Sequence, residues 1–154
     1  MWPFRKRVPN HASFPIGPYV LNMNATGLSG LRELSEQEYR VFPKEFQGEK
    51  IYHGPPVEFL SLTWDTMLGV VNGTVYKIAP SFQTYEKNEA NNAAMAALAY
   101  CSSQLGEPAS QRTGFFVWDT VDGNIILQTA ETHEGLSVNL FLTSSSIKGL
   151  PRNQ

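Results

Sequence analysis

Two aspartates that each follow a tryptophan are the first residues whose types and spacing could carry out acid–base chemistry. Asp65 and Asp119 lie in the Trp-Asp-Thr triplets 64–66 and 118–120, and two carboxylates in one cleft can act as general acid and base. Successive side chains of a strand face opposite sides, so both aspartates point to solvent if the tryptophans point inward. We expect the solvent-facing arrangement. An enzyme that uses Asp65, Asp119 or His133 is the third of three functional hypotheses.

A polar segment near the C-terminus contains candidate metal ligands. Glu131, His133 and Glu134 could offer one imidazole and two carboxylates, but a catalytic zinc ion usually needs three converging protein ligands. Residues so close together on one turn rarely all converge on a single ion. We therefore interpret the segment as a solvated turn.

A second possible metal site resembles part of a calcium-binding loop. Asp119, Asp122 and Asn124 have oxygen ligands, but Val121 occupies the third position of the loop and no bidentate glutamate follows at its end. Turn formation by Asp122-Gly123 explains the same residues. The sequence thus predicts neither a metal nor another cofactor.

The single cysteine is a poor candidate for a nucleophile. Cys101 lies on the apolar stripe near the C-terminus of a predicted helix, where the helix dipole disfavours a thiolate. One cysteine also excludes an intrachain disulfide. His11, His53 and His133 are far apart in the chain, and no phosphate-binding glycine motif is present. We expect a buried, unreactive thiol and no enzymatic activity.

The composition indicates one domain with its own core. The chain has 154 residues, 42% of them hydrophobic and 17% charged, with 12 Lys+Arg against 14 Asp+Glu. That length can bury a sizeable core, so we expect a single domain over residues 1–154, with a flexible or extended tail at 1–16 and the core at 57–146. The near-neutral charge argues against nucleic acid as a partner.

No membrane span or secretory signal is expected. The longest helix-like apolar run, 93–101, is far shorter than the roughly 20 residues that cross a bilayer. The basic N-terminus is not followed by an apolar segment. Trp2 and Phe4 beside the basic residues 5–7 could touch an anionic membrane, but we interpret them as part of a loose tail. A cytoplasmic location is the expectation.

The elements that must position any site are two hairpins and a helix. Asn72-Gly73 between two runs of strand-forming residues predicts a tight hairpin with Gly69 opposite Tyr76 and Met67 opposite Ile78. Alanines at spacings of three and four predict a helix over 84–105.

The rest of the chain supplies further strands. Asp122-Gly123 predicts a second hairpin, and period-two alternation predicts a last strand over 136–143. Short strands are expected at 19–21 and 50–53, and a capping box at 35–38 starts a short helix that Pro43 ends. The prediction is an α+β fold: an antiparallel sheet in ββαβββ order, one main helix packed on one face, and an irregular N-terminal arm with a short helix.

Function is inferred from the two apolar faces of the hairpins. One helix can cover one face, so the other is covered by the arm or exposes an aromatic surface that binds a partner. The first hypothesis is a non-enzymatic soluble protein-interaction domain that acts through this sheet face, on another protein or on its own copy. The candidate binding residues are Trp64, Tyr76, Trp118, Phe116 and Phe141. The alternative is a small-ligand pocket between helix and sheet, lined by Trp64, Trp118, Tyr76 and Tyr100.

Overall fold

A computed structural model of the chain describes residues 14–35, 46–133 and 135–146. In chain order its elements are a 3-10 helix (Ala25–Gly27), β1 (Arg32–Glu33), β2 (Lys50–Phe59), β3 (Leu62–Val71), β4 (Thr74–Thr84), α1 (Lys87–Leu105), β5 (Ser110–Arg112), β6 (Phe115–Thr120), β7 (Gly123–Thr132) and β8 (Gly135–Ser144).

The eight strands form one antiparallel sheet in the order β1-β2-β3-β4-β8-β7-β6-β5. The predicted fold class is confirmed. The predicted ββαβββ order corresponds to β3, β4, α1, β6, β7 and β8, and the sheet adds β1, β2 and β5 to it. The helix connects the two halves of the sheet and packs on β4, β7 and β8.

The hairpin between β3 and β4 turns at Asn72-Gly73, as the sequence predicts. Their φ angles of 52° and 76° are the left-handed pair that this turn requires. The first two ladder pairs, Val71–Thr74 and Val70–Val75, are also the predicted ones.

A β-bulge then shifts the register of this hairpin. The observed pairs are Gly69–Lys77 and Met67–Ala79, whereas the sequence predicts Gly69–Tyr76 and Met67–Ile78. The prediction was wrong because Tyr76 is an extra residue in β4 that faces no residue of β3, and a bulge of this kind moves the pairs beyond it by one position. The prediction that the Tyr76 ring covers Gly69 nevertheless holds, since a Cβ on Gly69 would touch that ring.

The β2–β3 hairpin differs more from the prediction. A single strand was expected over 59–71 and only a short one at 50–53, but β2 reaches Phe59 and the chain reverses at Leu60-Ser61. These two residues adopt φ of 54° and 63° without a glycine, so the turn has no sequence signal. Pro55-Pro56 fits inside β2 because the ladder is interrupted there by a bulge.

The turn between β6 and β7 is offset by one residue from the prediction. Thr120 pairs with Gly123, so the turn residues are Val121 and Asp122 rather than Asp122-Gly123. Gly123 is needed for another reason, because a Cβ there would clash with the carbonyl oxygen of Thr143 on β8. The glycine therefore permits a close approach of two backbones.

The main helix begins three residues later than predicted. Strand β4 continues to Thr84, whose Oγ1 accepts a hydrogen bond from the Glu86 N–H at 3.0 Å. The helix runs Lys87–Leu105 and ends at Gly106, with φ of 85°, as predicted. The side chains that it buries are mostly small: Ala90, Ala93, Ala97, Cys101 and Leu105. Small side chains let a helix lie close to a sheet.

Leu34 and Phe46 of the arm belong to buried clusters on the opposite face of the sheet, whereas the first described part of the arm packs on the same side of the sheet as the helix. Its side chains in that core are Phe14, Ile16, Tyr19 and Leu21. The strand predicted at 19–21 is absent from the described chain; instead Ile16 and Tyr19 form an isolated bridge around a turn. The short helix predicted after the capping box falls on residues 36–45, outside the described residues.

Candidate functional site

The sheet has two unequal faces. The helix face carries α1, the arm and the large core, with Trp64, Leu68, Ile78, Trp118 and Leu140 at its centre. The far face, opposite α1, carries two small buried clusters at its β2–β4 end. These clusters are Leu34, Ile51 and Ala79, with Met67 and Phe141 packed against them, and Phe46, Val71 and Tyr76.

Ladder partners place a row of apolar side chains across the far face. Directly paired residues point to the same side of a sheet, and the pairs Met67–Ala79, Ile126–Phe141 and Val117–Ile126 lie on one side. The register of β4 and β8, set by Ile78–Leu142 and Ser81–Asn139, places Ala79 opposite Phe141 and so joins these pairs into one row. We call Met67, Ala79, Phe141, Ile126 and Val117 the apolar row.

The β6–β8 end of this row is not covered by a described core. Val117 and Ile126 are half-buried and belong to none of the clusters of buried apolar residues that the described chain forms. Phe115, one row away, is also half-buried, and its ring lies 4.5 Å below the Arg112 guanidinium. Three apolar side chains on two adjacent strands thus remain accessible.

A polar row runs beside the apolar one. Asp65 pairs with Ser81, and Ser81 pairs with Asn139. Asn139 pairs with Gln128, Gln128 with Phe115, and Phe115 with Arg112. Within this row the Ser81 hydroxyl donates to Oδ1 of Asn139 at 2.6 Å. The row joins an acidic residue on β3 to a basic residue on β5.

Three of the five predicted binding residues lie on the helix face. Trp64 and Trp118 are 0% and 1% exposed, and their indole N–H groups donate to the carbonyl oxygens of Phe59 at 2.7 Å and Gly106 at 3.0 Å. Phe116 stacks on Trp118 with ring centroids 6.3 Å apart. The two indole rings are buried with satisfied donors, so they hold the core together and offer no surface to a partner. Phe116 is half-buried and packs against the same core.

The other two predicted binding residues lie on the far face. Phe141 is half-buried in the apolar row. Tyr76 is buried, and its ring contacts Phe46 edge-on with centroids 5.5 Å apart. The structure therefore does not bring the five residues together, and of the five Phe141 alone is both on the far face and accessible.

The acid–base candidates do not share a cleft. Asp65 on β3 and Asp119 on β6 are separated by four strand spacings, about 19 Å. His133 lies at the turn between β7 and β8. Nε2 of His53 is 3.8 Å from Oδ1 of Asp65, and Ser81 is the ladder partner of Asp65. The Ser81 hydroxyl, however, donates its proton to Oδ1 of Asn139 at 2.6 Å, so these three residues do not form the hydrogen-bonded series that activates a serine nucleophile.

The candidate metal ligands and the candidate nucleophile, within the described residues, are also not arranged for chemistry. In residues 14–35, 46–133 and 135–146, no three His, Cys, Asp or Glu side chains are grouped so that they could hold a metal ion. Cys101 is fully buried, and burial raises the pKa of its thiol to about 12. A thiol with so high a pKa is a poor nucleophile at neutral pH.

Two cavities lie beside the arm. One of about 380 Å³ is lined by the 3-10 helix, Leu31, Lys50, Tyr52 and the β3–β4 turn. The other, of about 210 Å³, is lined by Pro18, Tyr19, the loop 27–29 and the bulge of β2. Neither is lined by residues of α1, so neither is the helix–sheet pocket of the alternative hypothesis.

The accessible residues Phe115, Val117 and Ile126 were not among the predicted binding residues. Their signal is the period-two pattern of β6, in which Phe115 and Val117 alternate with Phe116 and Trp118. Because Trp118 packs under the helix, the alternation places Phe115 and Val117 on the far face. The sequence alone does not say which of the two sets is inward.

No helix within the described chain has the length and apolar character needed to cross a membrane.

Comparisons with known proteins add no further information. No protein-family model, curated protein or solved structure matches the chain.

Proposed function

We propose that the protein acts by binding a protein partner through the far face of its sheet, centred on the β6–β8 part of the apolar row. The observation that carries the proposal is the group Phe115, Val117 and Ile126, half-buried side chains beside Phe141 that no described core cluster includes. Contiguous apolar surface of this kind, bordered by polar groups, is typical of protein interaction sites.

The polar surroundings support the same proposal. Ser81, Asn139 and Gln128 border the apolar row on one side, and Thr143, Asn124 and Asp119 border it on the other. An apolar centre with a hydrogen-bonding rim is the usual composition of a protein–protein interface. Neither of the two cavities beside the arm is lined by these residues.

A site-specific cross-linker tests this proposal. A photo-reactive phenylalanine analogue replaces Ile126 in the full chain, and in a control variant it replaces Met95, which is 68% exposed on the outer side of α1. After irradiation in extract of the native cells, we expect a discrete protein adduct from position 126 and none from position 95. Val117→Asp in the same variant should abolish the adduct, because a charge in the apolar row must be desolvated on binding.

The proposal fails if position 126 gives no adduct. It also fails if position 95 gives the same adduct, or if Val117→Asp leaves the adduct unchanged. Circular dichroism of each variant confirms that the fold is kept.

A further inference from the structure

We propose that the partner on the far face is a second copy of this chain, related by a two-fold axis that runs parallel to the strands between β7 and β8. The inference rests on the proposed function and names its partner. It follows from the positions of the charged residues on the far face.

The strand order fixes which strands such an axis brings together. With six strands in the order β3-β4-β8-β7-β6-β5, rotation about a line between β8 and β7 places β8 over β7 of the other copy. It likewise places β4 over β6 and β3 over β5. Positions along the strands are unchanged, so each row of one copy faces the same row of the other.

The charges on these six strands become opposite pairs under this rotation. The ladder partners place four charged residues on this part of the far face: Asp65, Arg112, Lys77 and Asp119. Asp65 and Arg112 occupy the ends of the polar row, so each Asp65 faces Arg112 of the second copy. Lys77 and Asp119 share another row, on β4 and β6, so they face each other in the same way. No like charges meet.

Asp65 and Arg112 carry the argument, because both are well exposed. The Asp65 side chain is 65% exposed, and Arg112 is exposed on the edge strand. Lys77 is only 7% exposed and its Nζ lies over the Tyr76 ring of its own copy, so the argument does not depend on it. Packed sheets are rotated by about 30°, which displaces groups at the ends of the row by roughly 6 Å. The long arginine side chain can span that displacement.

The apolar row also complements itself under the same axis. Phe141 on β8 faces Ile126 of the second copy on β7, so an aromatic ring is paired with a branched aliphatic side chain twice per dimer. Side chains of the inner faces of packed sheets interdigitate in this way. Ala79 on β4 would lie over Val117 of the second copy, but it is only 4% exposed and packs in a cluster of its own copy, so it adds little contact.

The size of the face predicts a weak dimer. Six strands span about 24 Å, and the outer rows are about 14 Å apart, so each copy contributes roughly 600 Å² once the rim is included. Stable interfaces bury about 800 Å² per partner. We therefore expect a dissociation constant on the order of 10 µM.

Charge reversal and charge exchange test the proposal. Sedimentation of the full chain over about 1–200 µM should give a monomer–dimer equilibrium. Asp65→Arg alone, or Arg112→Asp alone, creates two like-charge contacts per dimer, and each should raise the dissociation constant by about tenfold or more. The double variant restores opposite charges and should bring the constant back to within about threefold of the starting value. Glu131→Arg makes the same charge change on a residue that pairs with Leu136 of the helix face, and should leave it unaltered.

The outcomes separate this inference from the proposed function. A chain that stays monomeric at all concentrations, a dimer unaffected by either reversal, or a double variant that does not recover overturns the proposed two-fold dimer. If position 126 then cross-links to a different protein, the proposed function stands without this inference. A cross-link confined to one chain, for example to residues 36–45, overturns both.

Discussion

The Cβ that Gly69 lacks would lie 2.8 Å from Cε1 of Tyr76, although these two residues are not a ladder pair. The bulge in β4 turns the tyrosine ring over the bare glycine, and Oε2 of the buried Glu49 and Cβ of Lys77 lie 3.2 Å from the same position. Gly69 thus makes room for a buried tyrosine on the far face.

Gly69→Ala should therefore destabilise the protein. The added methyl group overlaps the Tyr76 ring, and overpacking of this kind costs about 1–3 kcal/mol. Equilibrium urea unfolding measures the loss. Gly27→Ala is the matched control, because nothing lies within 4 Å of its Cβ position. Equal effects of the two substitutions would contradict the assigned contact.

Thr66→Val should stabilise the protein. Thr66 is fully buried, and its Oγ1 has no hydrogen-bond partner among the residues that the structure describes. Replacing an unsatisfied hydroxyl by a methyl group of similar size should raise the free energy of unfolding by about 1 kcal/mol. Thr120→Val should instead lower it, because that hydroxyl donates to the Gly123 carbonyl oxygen at 2.8 Å. A loss of stability in Thr66→Val would refute the prediction.

Ser61→Gly should also stabilise the protein. Ser61 has φ of 63° in the β2–β3 turn, which a side chain adopts at a cost, whereas glycine adopts it freely. We expect a gain of about 0.5–1 kcal/mol in thermal or urea unfolding. Ser110→Gly, in the extended edge strand β5, should be neutral or destabilising. A gain at Ser110 as large as that at Ser61 would argue against the conformational explanation.

Stability at high pH should depend on Cys101. Burial raises the pKa of this thiol from 9.0 to about 12. Above pH 9 the unfolded chain therefore loses the thiol proton while the folded chain keeps it, and the free energy of unfolding falls as the pH rises. The contribution is fully present below pH 9 and declines by up to about 1.4 kcal/mol per pH unit between 9 and 12.

Comparison with Cys101→Ala isolates this effect from other groups that titrate at high pH. The difference in unfolding free energy between the two proteins, measured from about pH 8 to pH 10.5, should shift in favour of the alanine variant. Reaction with a disulfide reagent should be slow in the native protein and fast in urea. A pH-independent difference would show that the thiol ionises alike in both states.

The sequence predicts the fold class because strong local signals coincide with the final elements. Asn72-Gly73 sets one hairpin, Gly106 ends the helix, and the alternation in β8 places Val138 and Leu140 inward. Each of these depends on residues adjacent in the chain. The register beyond Gly69 and the turn at Leu60-Ser61 depend on packing from distant strands, so they leave no local pattern.

The candidate site is harder to predict for a similar reason. Phe115 and Phe116 are neighbours with the same composition around them, yet Phe116 stacks on Trp118 beneath the helix and Phe115 lies under Arg112. Both rings are half-buried, and which one packs on the helix side depends on where α1 crosses the sheet, which is a long-range property. Aromatic content alone selected Trp64 and Trp118, which the core buries.

The edges of the sheet are short. β1 has two residues and β5 has three, and the outer side of β2 carries Pro55-Pro56, which lack N–H donors. Among the strands that the structure describes, a further strand therefore finds little backbone to hydrogen-bond at either end. The protein can display a broad sheet without offering a template for fibril growth.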